Sequence, residues 1–108
     1  MRNETNKLIR DKIPDFMKRR GQEFELAEMN DLDYRQALLE KLVEEANEAR
    51  NTQPEHLIEE LADLYEVIDA VLVAFAVDRD VLLNEQVKRR SERGGFDKKL
   101  RLVWVQDK

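Results

Sequence analysis

Apolar residues recur at helical spacing through the middle of the chain. Between Asp31 and Asn51 they repeat every three to four positions, which is the period of an amphipathic helix. Asp31 or Asp33 is suited to cap the start of this helix. The apolar stripe comprises Leu38, Leu39, Leu42, Val43 and Ala46.

A second long helix is predicted after the connection at Asn51–Pro54, with Pro54 in its first turn and its end near Val77. Its second half, Val67–Val77, is apolar except for Asp69. A helix that is apolar on nearly every side must be buried on nearly every side, which a small domain achieves poorly alone. We therefore predict a homodimer, or a dimer of dimers, that shares this helix in its core.

Shorter elements are predicted on both sides of this pair. A basic helix is expected at Asp11–Arg20, with Gly21 as its stop, and Asp80 is suited to cap a helix that ends near Arg93. Residues 23–28 and 99–105 alternate loosely, so they are candidates for two short paired strands. The predicted fold class is all-α: a hairpin or bundle of about four helices in a single domain, 1–108, completed by oligomerisation.

Composition narrows the function classes. The net charge of −5 argues against nonspecific nucleic-acid binding by the surface as a whole. The chain has no cysteine and one histidine, His56, which excludes disulfides, thiol catalysis and a His- or Cys-based zinc site. The first residues are polar and no apolar run approaches the ~20 residues of a membrane span, so we expect a soluble, cytoplasmic protein.

Five carboxylates form the most informative pattern in the chain. Three lie within an arc of about 100° on the first long helix and two share a face of the next, so a helical hairpin brings them together. Like charges at about 4 Å repel by roughly 4 kcal/mol per pair at an effective dielectric of 20, so such a cluster favours cations. All-oxygen ligands suit Mg²⁺, with Mn²⁺ as an alternative. These residues are Glu44, Glu45, Glu48, Glu60 and Asp63.

A solvated helix face is the competing interpretation of such acids. Glu60 favours a site, because it stands at the edge of an apolar stripe where an unpaired carboxylate is costly. Basic residues are candidates for holding phosphate: Arg10 and Lys12 near the start, and Arg93 beside Gly94-Gly95. Compensation of the helix dipole is the alternative explanation for cations near the end of the last helix.

Four strings of the chain are distinctive in combination: Lys7-Leu8-Ile9-Arg10-Asp11-Lys12-Ile13-Pro14, Glu44-Glu45-x-x-Glu48, Glu60-Leu61-Ala62-Asp63 and Glu92-Arg93-Gly94-Gly95-Phe96. Together they closely resemble the MazG-like all-α nucleoside triphosphate pyrophosphohydrolase superfamily, and within it the small phosphoribosyl-ATP pyrophosphohydrolase-like proteins. The resemblance spans Lys7 to Phe96.

This resemblance implies that the five acids hold Mg²⁺ and that the helical bundle forms dimers or dimers of dimers. The implied activity is hydrolysis of a nucleotide between its α and β phosphates to a monophosphate and pyrophosphate, as in nucleotide-pool house-cleaning. In our mechanistic hypothesis, Glu45 either completes the metal coordination or deprotonates the attacking water. Arg10, Lys12 and Arg93 neutralise the departing pyrophosphate. The alternative is a non-catalytic helical dimer that binds a nucleotide or a protein partner.

Overall fold

Four α-helices and no strand make up the secondary structure of the computed structural model, which describes residues 1–108. The predicted all-α fold class is therefore confirmed. A single 3₁₀ turn, Pro54–His56, leads into the third helix. The helices are α1 (Ile13–Arg19), α2 (Asp31–Asn51), α3 (Leu57–Ala74) and α4 (Arg79–Arg93).

Contacts along the chain define two compact units, Met1–Ala76 and Val77–Lys108. The first unit contains the hairpin of α2 and α3, which pack against each other along their lengths. Arg35, near the start of α2, donates from Nε to the carbonyl oxygen of Ala74 at the end of α3, at 3.0 Å. This bond satisfies a carbonyl that the end of a helix leaves without an intrahelical donor, and it fixes the open end of the hairpin. The prediction of a single domain stays a prediction.

Two helix caps lie slightly upstream of the predicted ones. Asn30, rather than Asp31 or Asp33, caps α2, because its Oδ1 accepts from the backbone N–H of Asp33 at 2.8 Å. Asp78, rather than Asp80, caps α4 by accepting from the backbone N–H of Asp80 at 2.8 Å. A capping residue has extended backbone just before the first turn, as Asn30 and Asp78 do, whereas the predicted caps already lie within the helices.

The apolar core of the chain is small. Leu38 on α2 is 2% exposed and Val67 on α3 is 9% exposed, and these are its only buried apolar residues. Other apolar side chains of α3 face outward, including those of Ile58, Tyr65 and Val73. None of the helices combines the length and apolar character that crossing a membrane requires. The predicted sharing of α3 between subunits stays a prediction.

The two predicted short strands are absent, and this part of the prediction was wrong. Residues 23–28 and 99–105 have no regular secondary structure and are exposed throughout. No backbone hydrogen bonds of a strand ladder join them to another segment. Alternation of apolar residues indicates a possible half-buried face, but a strand exists only where its backbone groups find a partner.

Candidate metal centre

The α2–α3 hairpin determines where the acids lie. Glu44, Glu45 and Glu48 follow one another on the same side of α2, whereas Glu60 and Asp63 lie in the first two turns of α3. The two helices run antiparallel after a short connection, so the second half of α2 lies beside the beginning of α3. The helical phase of the sequence and the packing of the hairpin together bring the acids of both helices to one place.

The acids form two overlapping groups. One consists of Glu44, Glu45 and Glu48, and the other of Glu45, Glu60 and Asp63. Within each group, one carboxylate oxygen per residue lies within 4.8 Å of the others. Glu45 belongs to both groups, so its carboxylate stands between a position formed by α2 alone and a position formed by both helices.

Burial makes Glu45 and Glu60 unusual among the acids of this chain. Glu45 is 8% exposed and is the only buried charged residue. Its Oε2 atom and the Oε2 atom of Glu60 are buried without a hydrogen-bond partner. Buried polar atoms are normally paired, so these two oxygens require a cation or a proton.

The pKa values of these two carboxyls are raised by the same causes, burial and neighbouring negative charge. Burial raises the pKa of Glu45, and the negative charge of Glu48 raises it further. Burial also raises the pKa of Glu60, with the charges of Glu48 and Asp63 as additional causes. Both carboxyls therefore resist ionisation more than an isolated glutamic acid, which is the expected effect of like charges converging at a partly buried place.

Lys41 is a cation that the sequence pattern did not single out. Its Nζ lies 3.3 Å from Oε2 of Glu44 and 3.9 Å from Oε1 of Glu45, and its side chain is largely buried. Burial opposes ionisation of Glu44, but hydrogen bonds and attraction from Lys41 and Lys7 outweigh it and lower the pKa of Glu44. The spacing of three and four residues along α2 was the available signal for Lys41.

The segment that precedes α1 supplies two more cations to the acids. Lys7 Nζ lies 3.4 Å from Oε1 of Glu44, and Arg10 Nη1 donates to Oδ1 of Asp63 at 3.0 Å. Arg10 is thus at the acidic cluster, as its predicted role in binding phosphate requires. That role itself stays a prediction.

The other two candidate phosphate ligands have different settings. Lys12 is exposed and directly precedes α1, so it follows Arg10 at the end of the same segment. Arg93 is the last residue of α4 in the unit Val77–Lys108, and Gly94 follows it with a φ of +81°. A positive φ favours glycine, which explains why the helix ends there.

A divalent cation suits this set of donors. All five acids offer hard carboxylate oxygens, and the two unpaired buried oxygens belong to residues of the clusters. Mg²⁺ and Mn²⁺ prefer such ligands, whereas nitrogen and sulfur donors are absent from both groups. The residues present therefore fit the metal that the family resemblance implies.

Comparisons with known proteins add no relative to this picture: no family model, no curated protein and no solved structure matches the chain.

Proposed function

We propose that this chain is a metal-dependent nucleotide pyrophosphohydrolase, which hydrolyses a nucleoside triphosphate or a related nucleotide to a monophosphate and pyrophosphate. The observation that carries the proposal is the buried carboxylate of Glu45, which lies in both acid groups and has an oxygen without a partner. A residue that serves only stability has no reason to hold a buried charge among like charges.

The metal would be held by carboxylate oxygens from both helices. When bound, Mg²⁺ would neutralise phosphate charge and make a water molecule a stronger nucleophile at neutral pH. One carboxylate oxygen from each residue lies within 4.8 Å of the others in the group of Glu44, Glu45 and Glu48, and likewise in the group of Glu45, Glu60 and Asp63.

The residues of the chain then have distinct tasks in the hydrolysis. A water oxygen bonds to the α-phosphorus. The bond from the α-phosphorus to the oxygen that bridges the α and β phosphates breaks, and pyrophosphate leaves with the electron pair of that bond. Glu45 either completes the coordination or takes the proton of the water, and its raised pKa suits a general base. Arg10 and Lys12 stabilise negative charge on the departing pyrophosphate.

A homodimer, or a dimer of dimers, belongs to the same proposal. The chain buries only two apolar residues, while Ile58 and Val73 on α3 are more than 80% exposed. Large exposed apolar side chains on one helix are candidates for a protein–protein contact. A second copy would cover the outer face of α3 and supply the core that one chain lacks.

A non-catalytic helical dimer is the second candidate, because the ion pairs of Lys7, Arg10 and Lys41 offset part of the acidic charge without any metal. This compensation is incomplete, since Oε2 of Glu45 and Oε2 of Glu60 stay unpaired. The incomplete compensation favours the enzyme.

The test is release of pyrophosphate and monophosphate from a panel of nucleotides, with Mg²⁺ and with EDTA. The panel includes dUTP, dCTP, ITP, oxidised purine nucleotides and phosphoribosyl-ATP. Mg²⁺-dependent release from wild-type protein, lost in Glu45→Gln and kept in Glu59→Gln, is the expected result. Glu59 is a fair control because it neighbours Glu60 but is exposed and pairs only with His56, at 3.8 Å. If no substrate released pyrophosphate and the protein bound no metal, the results would support the non-catalytic dimer.

A further inference from the structure

The segment before α1, residues 1–12, contacts both acid groups at once. Lys7 reaches Glu44, which belongs only to the group on α2. Arg10 reaches Asp63, which belongs only to the group that includes α3. Two basic residues three positions apart thus occupy one carboxylate in each group.

These two contacts are of the kind that other cations displace. The side chains of Lys7 and Arg10 are 60% and 63% exposed, and each pair is formed through a single contact. Exposed ion pairs contribute little and are screened by salt. A divalent cation carries twice the charge and is held directly by oxygens of several carboxylates, so it competes successfully for Glu44 and Asp63.

An independent observation points to a further cation at the cluster, beyond those already present. The side chain of Glu45 is 10% exposed, and its Oε2 atom has no partner although Lys41 lies 3.9 Å from the other oxygen. Glu45 belongs both to the group of Glu44, which Lys7 contacts, and to the group of Asp63, which Arg10 contacts. The cations of the N-terminal segment therefore reduce the negative charge of the cluster without satisfying its centre.

The charges of the site indicate what the segment controls. Five ionised carboxylates with Lys7, Arg10 and Lys41 leave an excess of two negative charges, which one divalent cation balances. Without Lys7 and Arg10 the excess is four, which two divalent cations balance.

We propose, on the basis of the metal-dependent function above, that Lys7 and Arg10 are displaceable counter-cations of this site. They occupy Glu44 and Asp63 while the metal is absent. They yield these carboxylates to divalent cations and then pair with the phosphate groups of the substrate. While the segment is docked, the excess negative charge of the site balances one divalent cation. When the segment withdraws, the excess balances a second divalent cation as well.

Metal binding without any nucleotide tests the first half of this exchange. Mn²⁺ is titrated into the full chain by calorimetry and by electron paramagnetic resonance, with wild type compared to the Lys7→Gln, Arg10→Gln double variant. We expect the double variant to bind Mn²⁺ about fivefold more tightly or better, because the competing ion pairs are gone. An unchanged or weaker Mn²⁺ affinity in a folded double variant would overturn the proposal.

Binding of a non-hydrolysable polyphosphate tests the second half. Imidodiphosphate is titrated in the presence of saturating Mg²⁺, and the double variant should bind it about tenfold more weakly, since two cations that face phosphate are lost. Equal affinity in wild type and variant would overturn the transfer of Lys7 and Arg10 to phosphate. A purely structural role of these residues would not strengthen one affinity while weakening the other.

Arg2 provides the matched control. It lies in the same segment and pairs at 2.9 Å with Glu4, which belongs to neither acid group. Arg2→Gln removes one positive charge from the segment, as Arg10→Gln alone does, and both affinities should stay within about twofold of wild type, because an exposed pair elsewhere has little influence through solvent. If Arg2→Gln tightened Mn²⁺ binding as much as the double variant, general charge and not the two contacts would be the cause, and the proposal would fail.

Two further variants keep the test decisive. If the double variant does not fold, Arg10→Gln alone is used, with a smaller increase in Mn²⁺ affinity expected and an unchanged affinity counting against the proposal.

Glu45→Gln separates this inference from the proposed function. If wild type binds no Mn²⁺, or Glu45→Gln binds it equally well, the metal centre itself is wrong. A Glu45-dependent site that the double variant does not tighten refutes only the role of Lys7 and Arg10.

Discussion

Arg10 donates from Nη1 to Oδ1 of Asp63 at 3.0 Å, although 53 positions separate the two residues along the chain. This bond joins the segment before α1 to the acidic cluster at the start of α3. It places a candidate phosphate ligand beside a candidate metal ligand, which is the arrangement that holding a metal–polyphosphate complex requires.

Glu45→Gln should stabilise the metal-free protein while removing its response to metal. Gln keeps the shape but removes a buried charge that lies among like charges, so we expect about 1 kcal/mol of stabilisation and a Tm higher by roughly 4–8 °C. Thermal unfolding in EDTA measures the first effect. Added Mg²⁺ should then raise the Tm of wild type and leave that of Glu45→Gln nearly unchanged; a lower Tm in EDTA would mean that the charge is satisfied in the fold.

The pH dependence of this difference has a defined sign. Because the folded-state pKa of Glu45 is raised above its usual 4.5, ionised Glu45 destabilises the fold, and this destabilisation is present above the folded-state pKa. It disappears as the pH falls through that pKa towards 4.5. The Tm advantage of Glu45→Gln in EDTA should therefore be largest near pH 7 and shrink towards pH 4.5. An advantage that grows with acidity would contradict the raised pKa.

Asp63→Ala and Glu48→Ala should each abolish turnover and leave the helical content nearly intact. Both residues are at least partly exposed and contribute to the acid groups rather than to the apolar core. We expect a loss of about 100-fold to 10,000-fold, the range typical of removing a group directly involved in catalysis. Pyrophosphate release and circular dichroism measure the two properties. Turnover in Asp63→Ala within about tenfold of wild type would refute the assignment of Asp63 as a metal ligand.

Leu38→Ala should be among the most destabilising single changes in the chain. Leu38 is 2% exposed in the α2–α3 hairpin, so its truncation leaves a cavity and costs about 2–5 kcal/mol. Urea unfolding measures the loss, and Leu39→Ala is the control, because Leu39 is adjacent on α2 but 40% exposed. Equal losses in the two variants would mean that a partner chain buries Leu39 as fully as the hairpin buries Leu38.

Val73→Glu should weaken self-association if α3 forms the proposed subunit contact. Val73 is 83% exposed in the single chain, so a charge there costs little in a monomer and is disfavoured in an apolar interface. Sedimentation velocity across a range of concentrations measures the change. Val73→Thr, which keeps the shape of the side chain, should have a smaller effect. A wild-type protein that sediments as a monomer at every concentration would exclude the dimer.

Local sequence signals determined much of this molecule. The three-to-four spacing of apolar residues predicted α2, because helical periodicity depends only on neighbouring positions. The same periodicity placed Glu44, Glu45 and Glu48 on one side of α2 and Glu60 with Asp63 on one side of α3. The family resemblance, the metal and the reaction stay predictions from the sequence.

Tertiary structure determined which distant residues contact each other, and local periodicity does not predict these contacts. The antiparallel packing of α2 on α3 selected Glu45 as the member shared by both acid groups and left its Oε2 atom buried without a partner. Chain folding over long separations brought Lys7 and Arg10 to Glu44 and Asp63. The alternating residues 23–28 and 99–105 do not form strands, because no other segment pairs with their backbone groups. Pairing, burial and charge compensation depend on which distant groups meet, and a sequence pattern describes only one of the two partners.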